Sequence, residues 1–96
     1  MSDIQAPVAQ RTLLAGNTVV AVTINRPEQD EGDYRCRYLL ETGQKKRLGY
    51  AMGVDGVQAL QLAMARINPD LLAMGEELGV PINWIDNAAG DNGFIT

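Results

Sequence analysis

Residues 53–64 read Gly-Val-Asp-Gly-Val-Gln-Ala-Leu-Gln-Leu-Ala-Met and contain the signals of a complete helix start. Asp55 is an N-cap residue type, and Gln58 follows three residues later, which is the spacing of a capping box. Val54 precedes the cap and is placed to pack on Ala59 as a hydrophobic staple. These signals predict a helix that begins at mid-chain, after a region of short, alternating segments.

Apolar residues continue from this start at helical spacing and predict one buried helix face: Val57, Leu60, Met64, Ile67, Leu71, Met74 and Leu78. Pro69 interrupts the pattern, and the residue before a proline avoids the α region. We therefore expect either two helices divided at Asn68 or one sharply kinked helix, with Gly79 as the C-cap. Leu62 lies beside the stripe, where it either widens the buried face or forms a second apolar strip for self-association.

The region before the helix predicts four strands: Arg11–Ala15, Thr18–Asn25, Asp33–Glu41 and Lys46–Met52. Gly16-Asn17 suits a two-residue hairpin turn, and Pro27 ends the second strand because it cannot donate to the ladder. Glu28–Asp33 is expected to be a polar loop. The alternation of side chains predicts three inward-facing sets: Val20, Val22 and Ile24; Tyr34, Cys36, Tyr38 and Leu40; and Leu48, Tyr50 and Met52.

These elements predict an α+β fold, an antiparallel four- to five-stranded meander with one kinked or split helix packed on one face. A fifth short strand is expected in Pro81–Asp86. The 96 residues form one domain, residues 1–96, in which residues 1–9 are expected to be a loose arm or a weak edge segment. Trp84 and Phe94 are expected to pack onto the body, so that Asn87–Gly93 forms an ordered loop.

The composition narrows the classes of function. A net charge of −4 argues against a dedicated nucleic-acid-binding protein, whose affinity comes from basic surface. The single cysteine, Cys36, excludes an intrachain disulfide and suits a reducing compartment. The first residues resemble no secretory signal, and no apolar run has the length of a membrane span. The sequence therefore predicts a cytoplasmic protein.

Signals of catalysis are lacking. The chain has no histidine, which removes the usual general base and every Ser-His or Cys-His pair. Cys36 shares a face with two tyrosines and is interpreted as a small core hydrophobe. We predict no catalytic residue, metal, cofactor or small-molecule substrate, and hence no enzyme. The remaining enzymatic alternative needs Asp86 and Asp91 together in a pocket beside Trp84.

Metal and phosphate motifs are incomplete. The acids between Glu28 and Asp33 lack the alternating spacing and closing glutamate of an EF-hand loop. Gly53–Gly56 precedes a helix but lacks the Lys and the Ser or Thr of a phosphate-binding loop. We interpret both segments as structural connections.

The face of the sheet away from the helix is the candidate site. It is predicted to carry Arg35, Arg37, Leu39 and Arg47, with Lys45 nearby. Two layers leave such a face wet or covered by a partner, so we predict a protein-interaction surface or a self-associating, homodimeric one. In the alternative, these cations bind an RNA backbone, while Tyr50 is expected inside the core.

Three segments resemble a family of small bacterial proteins described as a domain of unknown function. They are Gly32-Asp-Tyr-Arg-Cys-Arg-Tyr38, Gly53-Val-Asp-Gly-Val-Gln-Ala-Leu60 and Gly90-Asp-Asn-Gly-Phe94. The resemblance implies no activity and carries over no catalytic residue, and the chain has Ile95 where the family pattern has proline. The order of strands and capped helix is also similar to the partial double-stranded-RNA-binding-like domain of HicB-type antitoxins, which is the source of the RNA alternative.

Overall fold

The computed structural model describes residues 4–84 and 91–94. It contains five strands and one helix: β1 (Pro7–Ala15), β2 (Thr18–Asn25), β3 (Glu28–Asp30), β4 (Asp33–Glu41), β5 (Lys46–Gly53) and α1 (Gly56–Leu78). Every strand pairing is antiparallel, and β4 lies at the centre, with β2 and β3 along one edge and β5 along the other. The helix packs on β4 and β5. The predicted α+β fold is confirmed.

The expected polar loop at Glu28–Asp33 is wrong. Glu28–Asp30 forms β3, which pairs with the start of β4 in the register Glu28↔Arg35 and Asp30↔Asp33. Glu31 and Gly32 make the connecting turn with φ values of 51° and 92°. Two consecutive residues with positive φ are typical of the turns that join twisted hairpin strands. The ladder therefore holds Glu28 opposite Arg35, whereas Asp30 lies opposite Asp33.

The described part of residues 1–9 forms an edge segment of the sheet rather than a loose arm. β1 begins at Pro7, and Ile4 before it is buried. The backbone N–H of Ala6 donates to Asn25 Oδ1 at 2.8 Å, and the N–H of Arg26 donates to the Ala6 carbonyl at 2.8 Å. These bonds tie the segment to the end of β2, because the buried Asn25 side chain needs a partner.

The core lies between the inner sheet face and α1. Two of the three predicted inward sets are correct, since Val20, Val22 and Ile24 of β2 are buried, as are Cys36, Tyr38 and Leu40 of β4, with Tyr34 partly buried. Leu13 and Ala15 complete the face from β1. From the helix side the buried apolar residues are Ala59, Ala63, Ile67, Leu71 and Met74.

The third predicted set is wrong, because β5 presents its small residues to the core. Antiparallel pairing places Tyr38 opposite Gly49 and Cys36 opposite Ala51. A Cβ added at Gly49 would collide with the Tyr38 ring, and one added at Gly53 would collide with the α1 backbone at Ala59. Only small side chains fit under this contact, so the large apolar residues of β5 lie on the outer face.

Helix α1 starts and ends as predicted but does not divide. Asp55 Oδ1 accepts the N–H of Gln58 at 2.8 Å, and Gly79 closes the helix with φ 78°. The Gln58 side chain accepts from the N–H of Val54 rather than from the cap residue. The helix is continuous from Gly56 to Leu78 with Pro69 inside it. Among the described residues, no helix is both long and apolar enough to cross a membrane.

The buried stripe of α1 is rotated from the predicted one. Val57 and Val54 are exposed, so neither the first stripe position nor the hydrophobic staple forms as expected. Leu60 and Met64 are only partly buried. Ala59 and Ala63 occupy the centre instead, and the backbone of the helix at Ala59 lies close against Gly53 of β5.

The end of the chain packs onto β1. Asn83 forms an isolated bridge with Leu14, so residues 81–84, the described part of the expected fifth strand, contain a bridge rather than a strand. The Arg11 guanidinium lies 4.0 Å from the centre of the Trp84 ring and 4.6 Å from that of Phe94. Both aromatic residues therefore pack on the body, as predicted. Of the expected loop Asn87–Gly93, residues 87–90 lie outside the described part of the chain.

Candidate interaction surface

The outer face of β5 carries three large apolar side chains in succession. Leu48, Tyr50 and Met52 are 55, 52 and 37% exposed. Leu39 lies opposite Leu48 in the ladder and is only 4% exposed, so it forms the floor between the strands. We call these four residues the outer apolar patch. Monomeric proteins expose few contiguous apolar surfaces, and those that persist often mark contacts with other molecules.

Paired charges border this patch. The Arg37 guanidinium Nη2 lies 2.8 Å from Glu28 Oε1, and Arg35 forms a salt bridge with Asp30. Arg35 also lies 5.3 Å from the centre of the Tyr50 ring. The carboxylates of β3 therefore neutralise both arginines, and the patch has a polar rim of nearly balanced charge.

Arg47 does not lie on the same face of the sheet as Arg35 and Arg37, so the predicted basic face is wrong in this residue. It pairs with Leu40 in the ladder and so belongs to the inner face of the sheet. Its Nη1 donates to the Asp70 carbonyl at 3.2 Å, and its Nη2 lies 3.2 Å from Glu77 Oε1. Lys45 Nζ contacts the same Glu77 carboxylate at 3.2 Å. Both cations fasten the C-terminal half of α1 to β5.

Tyr38 makes a second link between the sheet and the helix. Its ring crosses Gly49, and its hydroxyl donates to Asp70 Oδ2. Burial, followed by the hydrogen bond and the charge of Asp70, raises the pKa of Tyr38 to about 12, although Arg66 acts in the opposite direction. The phenol is fully buried and remains protonated, so its role is structural.

Cys36 lies in the core as predicted. Its thiol Sγ donates to the Asn25 carbonyl at 3.4 Å, and burial raises its pKa. A reactive cysteine needs an exposed, electropositive niche that lowers the pKa. In residues 4–84 and 91–94, no three acids, cysteines or histidines gather as a metal site would require.

A concavity of about 650 Å³ lies beside the C-terminal half of α1, away from the outer apolar patch. It is lined largely by Leu71, Leu72, Val80, Pro81 and Ile82. Asn92 reaches its wall, but its amide already donates to Asn68 Oδ1 at 2.9 Å. Of the two acids in the enzymatic alternative, Asp86 lies outside the described residues. Asp91 Oδ1 accepts the N–H of Gly93 at 2.8 Å. The described lining brings no acid–base pair together.

The exposed residues of β5 were predicted to lie on the inner face, although the sequence contains a signal for the opposite orientation. Gly49, Ala51 and Gly53 alternate with them, and three small residues in succession on one side of a strand are typical of close approach by another element. The bulky Tyr38 on the preceding strand supplies that element. Weighing side-chain volume across the hairpin, rather than hydropathy along one strand, would have placed Tyr50 outside.

Comparisons with known proteins identify a family. The sequence model of a family described as a domain of unknown function (DUF6968) matches residues 9–96. No curated protein and no solved structure matches the chain. Because the match covers nearly all of the sequence, including every strand and the helix, the chain belongs to the DUF6968 family.

Proposed function

We propose that this chain is a non-enzymatic protein-interaction module and that the outer apolar patch is its contact surface. The observation that carries the proposal is the run of exposed Leu48, Tyr50 and Met52 above the buried Leu39. Keeping this much apolar surface in water costs roughly 25 cal/mol per Å² relative to burying it. A partner that covers the patch recovers that free energy.

The chemistry of the surface also suits a protein partner. Tyr and Met are enriched at the centres of protein interfaces, and charged residues are enriched at their rims. Here Tyr50 and Met52 supply the exposed apolar surface, whereas Arg35 and Arg37, paired with Asp30 and Glu28, lie beside them on β4. The cytoplasmic setting remains our proposal and is supported by the single thiol, which suits a reducing compartment.

RNA binding is the alternative, and one observation favours it. Tyr50 is exposed beside Arg35, and bases stack on such aromatic and guanidinium groups. The charge distribution supports it less, because Arg35 and Arg37 are paired with carboxylates and Arg47 lies on the inner face. Binding that falls steeply with salt and weakens in Arg37→Ala would support this alternative.

A photo-crosslinking side chain in place of Tyr50 tests the proposal in the native cells. Val19 provides a matched control, because it is 53% exposed, lies on the outer face and belongs to the other end of the sheet. Protein adducts at position 50 that are absent at position 19 would support the proposal. Adducts with RNA would favour the alternative, and equal adducts at both positions would contradict a specific patch.

A further inference from the structure

We infer that β5 pairs antiparallel with β5 of a second copy, so that two sheets join into one across a two-fold axis at Tyr50. This goes beyond the proposed function, because it uses the edge of the sheet rather than its face and names the partner. The argument rests on the free edge of β5, on its composition and on its self-complementary ends.

The two edges of the sheet are treated differently. At β1, Asn83 bridges Leu14 through two backbone hydrogen bonds of 2.9 and 2.8 Å. The same strand begins with Pro7 and has an irregular register between Pro7 and Ala9. Proline, bulges and covering segments are devices that keep an edge from pairing with other chains.

β5 carries charges only at its start, Lys46 and Arg47, and within residues 4–84 and 91–94 no proline or covering strand protects its edge. The strand pairs with β4 from Lys46 to Gly53, and in the part of the chain that the structure describes no strand follows on its other side. Residues 48–54 contain neither a charge nor a proline. A long, apolar edge of this kind presents unpaired N–H and C=O groups that a further strand can bond.

β5 and the residues that flank it complement each other when the strand meets a copy of itself. In an antiparallel pair centred on Tyr50, Leu48 lies opposite Met52 of the second copy, and the flanking Lys45 lies opposite its Asp55. The outer apolar residues thus meet each other, and the basic flank meets an acidic one while Lys45 keeps its contact with Glu77 and Asp55 keeps its role as the helix cap. A two-fold interface needs this self-complementarity, since each contact occurs twice.

Leu62 of α1 adds an independent apolar contact beside this edge. Helix positions 62, 66, 70 and 77 share one side because they are separated by steps of four and seven residues, which are about one and two helical turns. Asp70 and Glu77 contact Tyr38, Arg47 and Lys45, which places this side over β5. Leu62 is 43% exposed there, so pairing of the edges brings the Leu62 sides of two helices towards each other.

The register can be tested with a cysteine at the axis. Directly opposite residues in an antiparallel pair have Cβ atoms about 4.5–5.5 Å apart, close to the reach of a disulfide. We expect Tyr50→Cys to oxidise to a covalent dimer at least about tenfold faster than Val19→Cys, its matched control in exposure. The native Cys36 is buried and stays unmodified in both variants.

Charge placement tests the same pairing in solution. Leu48→Lys combined with Met52→Lys sets like charges opposite each other twice and should weaken the dimer about tenfold or more in analytical ultracentrifugation. Leu48→Lys combined with Met52→Glu sets opposite charges there and should restore it. Circular dichroism confirms that both variants are folded.

Two results would overturn the inference: a wild-type chain that sediments as a monomer at the highest attainable concentration, or equal dimerisation of the two double variants. The proposed function is tested independently of this inference. If the chain is monomeric but forms adducts with another protein at position 50, the proposed function stands and the edge pairing does not. If the chain dimerises but forms no adducts with another protein, only the edge pairing stands.

Discussion

The ring of Tyr38 lies against the bare Cα of Gly49, where an added Cβ would overlap the ring carbon Cζ and the hydroxyl oxygen. Gly49→Ala must therefore displace a fully buried side chain, and we expect it to lower the free energy of unfolding by about 1–3 kcal/mol. Urea denaturation measures the loss. Gly43→Ala is the control, because nothing lies within 4 Å of a Cβ there. Equal stability of the two variants would show that the ring is not held over β5.

The buried phenol makes stability depend on alkaline pH. The pKa of Tyr38 is raised from 10.0 in the unfolded chain to about 12 in the folded one, so the folded state holds its proton longer. The contribution of Tyr38 to the free energy of unfolding is fully present below pH 10. It is lost as the pH rises from 10 to 12, because the phenol ionises in the unfolded chain before it does so in the folded one.

Tyr38→Phe should flatten this part of the stability profile. The loss of stability between pH 10 and 12 then shrinks, because the variant lacks the buried phenol whose pKa is raised. Thermal melts at a series of pH values make the comparison. An unchanged slope in the variant would assign the alkaline loss to other groups.

The rotation of the helix can be checked with two substitutions. Ile67 is fully buried, so Ile67→Ala should cost about 2–5 kcal/mol. Val57 is exposed, so Val57→Ala should change stability by less than about 0.5 kcal/mol. Chemical denaturation of both variants distinguishes the observed face from the stripe predicted from the sequence, which would make Val57→Ala costly.

The Arg11 guanidinium between two aromatic rings should contribute measurably. Arg11→Ala removes cation–π contacts with Trp84 and Phe94, and at half-exposed sites these are worth about 0.5–1 kcal/mol each. Trp84 is the sole tryptophan, so its fluorescence reports the loss directly. Arg26→Ala, at an exposed position, should leave the emission unchanged. Unaltered emission in Arg11→Ala would mean that the tail does not dock through this contact.

Local signals in the sequence were sufficient to predict those features that depend only on neighbouring residues in the chain. Asp55 and Gly79 bound the helix because capping is settled by neighbouring backbone groups. The inward sets of β2 and β4 follow from alternation, since the buried residues there are also the apolar ones.

Long-range packing decided the rest. The orientation of β5 depends on the Tyr38 ring across the hairpin, which hydropathy within the strand does not encode. Arg47 lies on the inner face because it pairs with Leu40, whose side chain also points to that face. The helix runs through Pro69 because Ile67 and Leu71 are buried on both sides of it, and their packing offsets the hydrogen bond that proline removes.

Strand β4 is paired along both of its edges. β5 bonds it from Tyr34 to Glu41, while β3 and β2 together bond its beginning and end from the other side. Partial opening of the domain therefore has an order: β1 or β5 can separate while β4 stays bonded to at least two other strands. Its amide protons should be the slowest to exchange with deuterated solvent, and they should do so only when the whole domain unfolds.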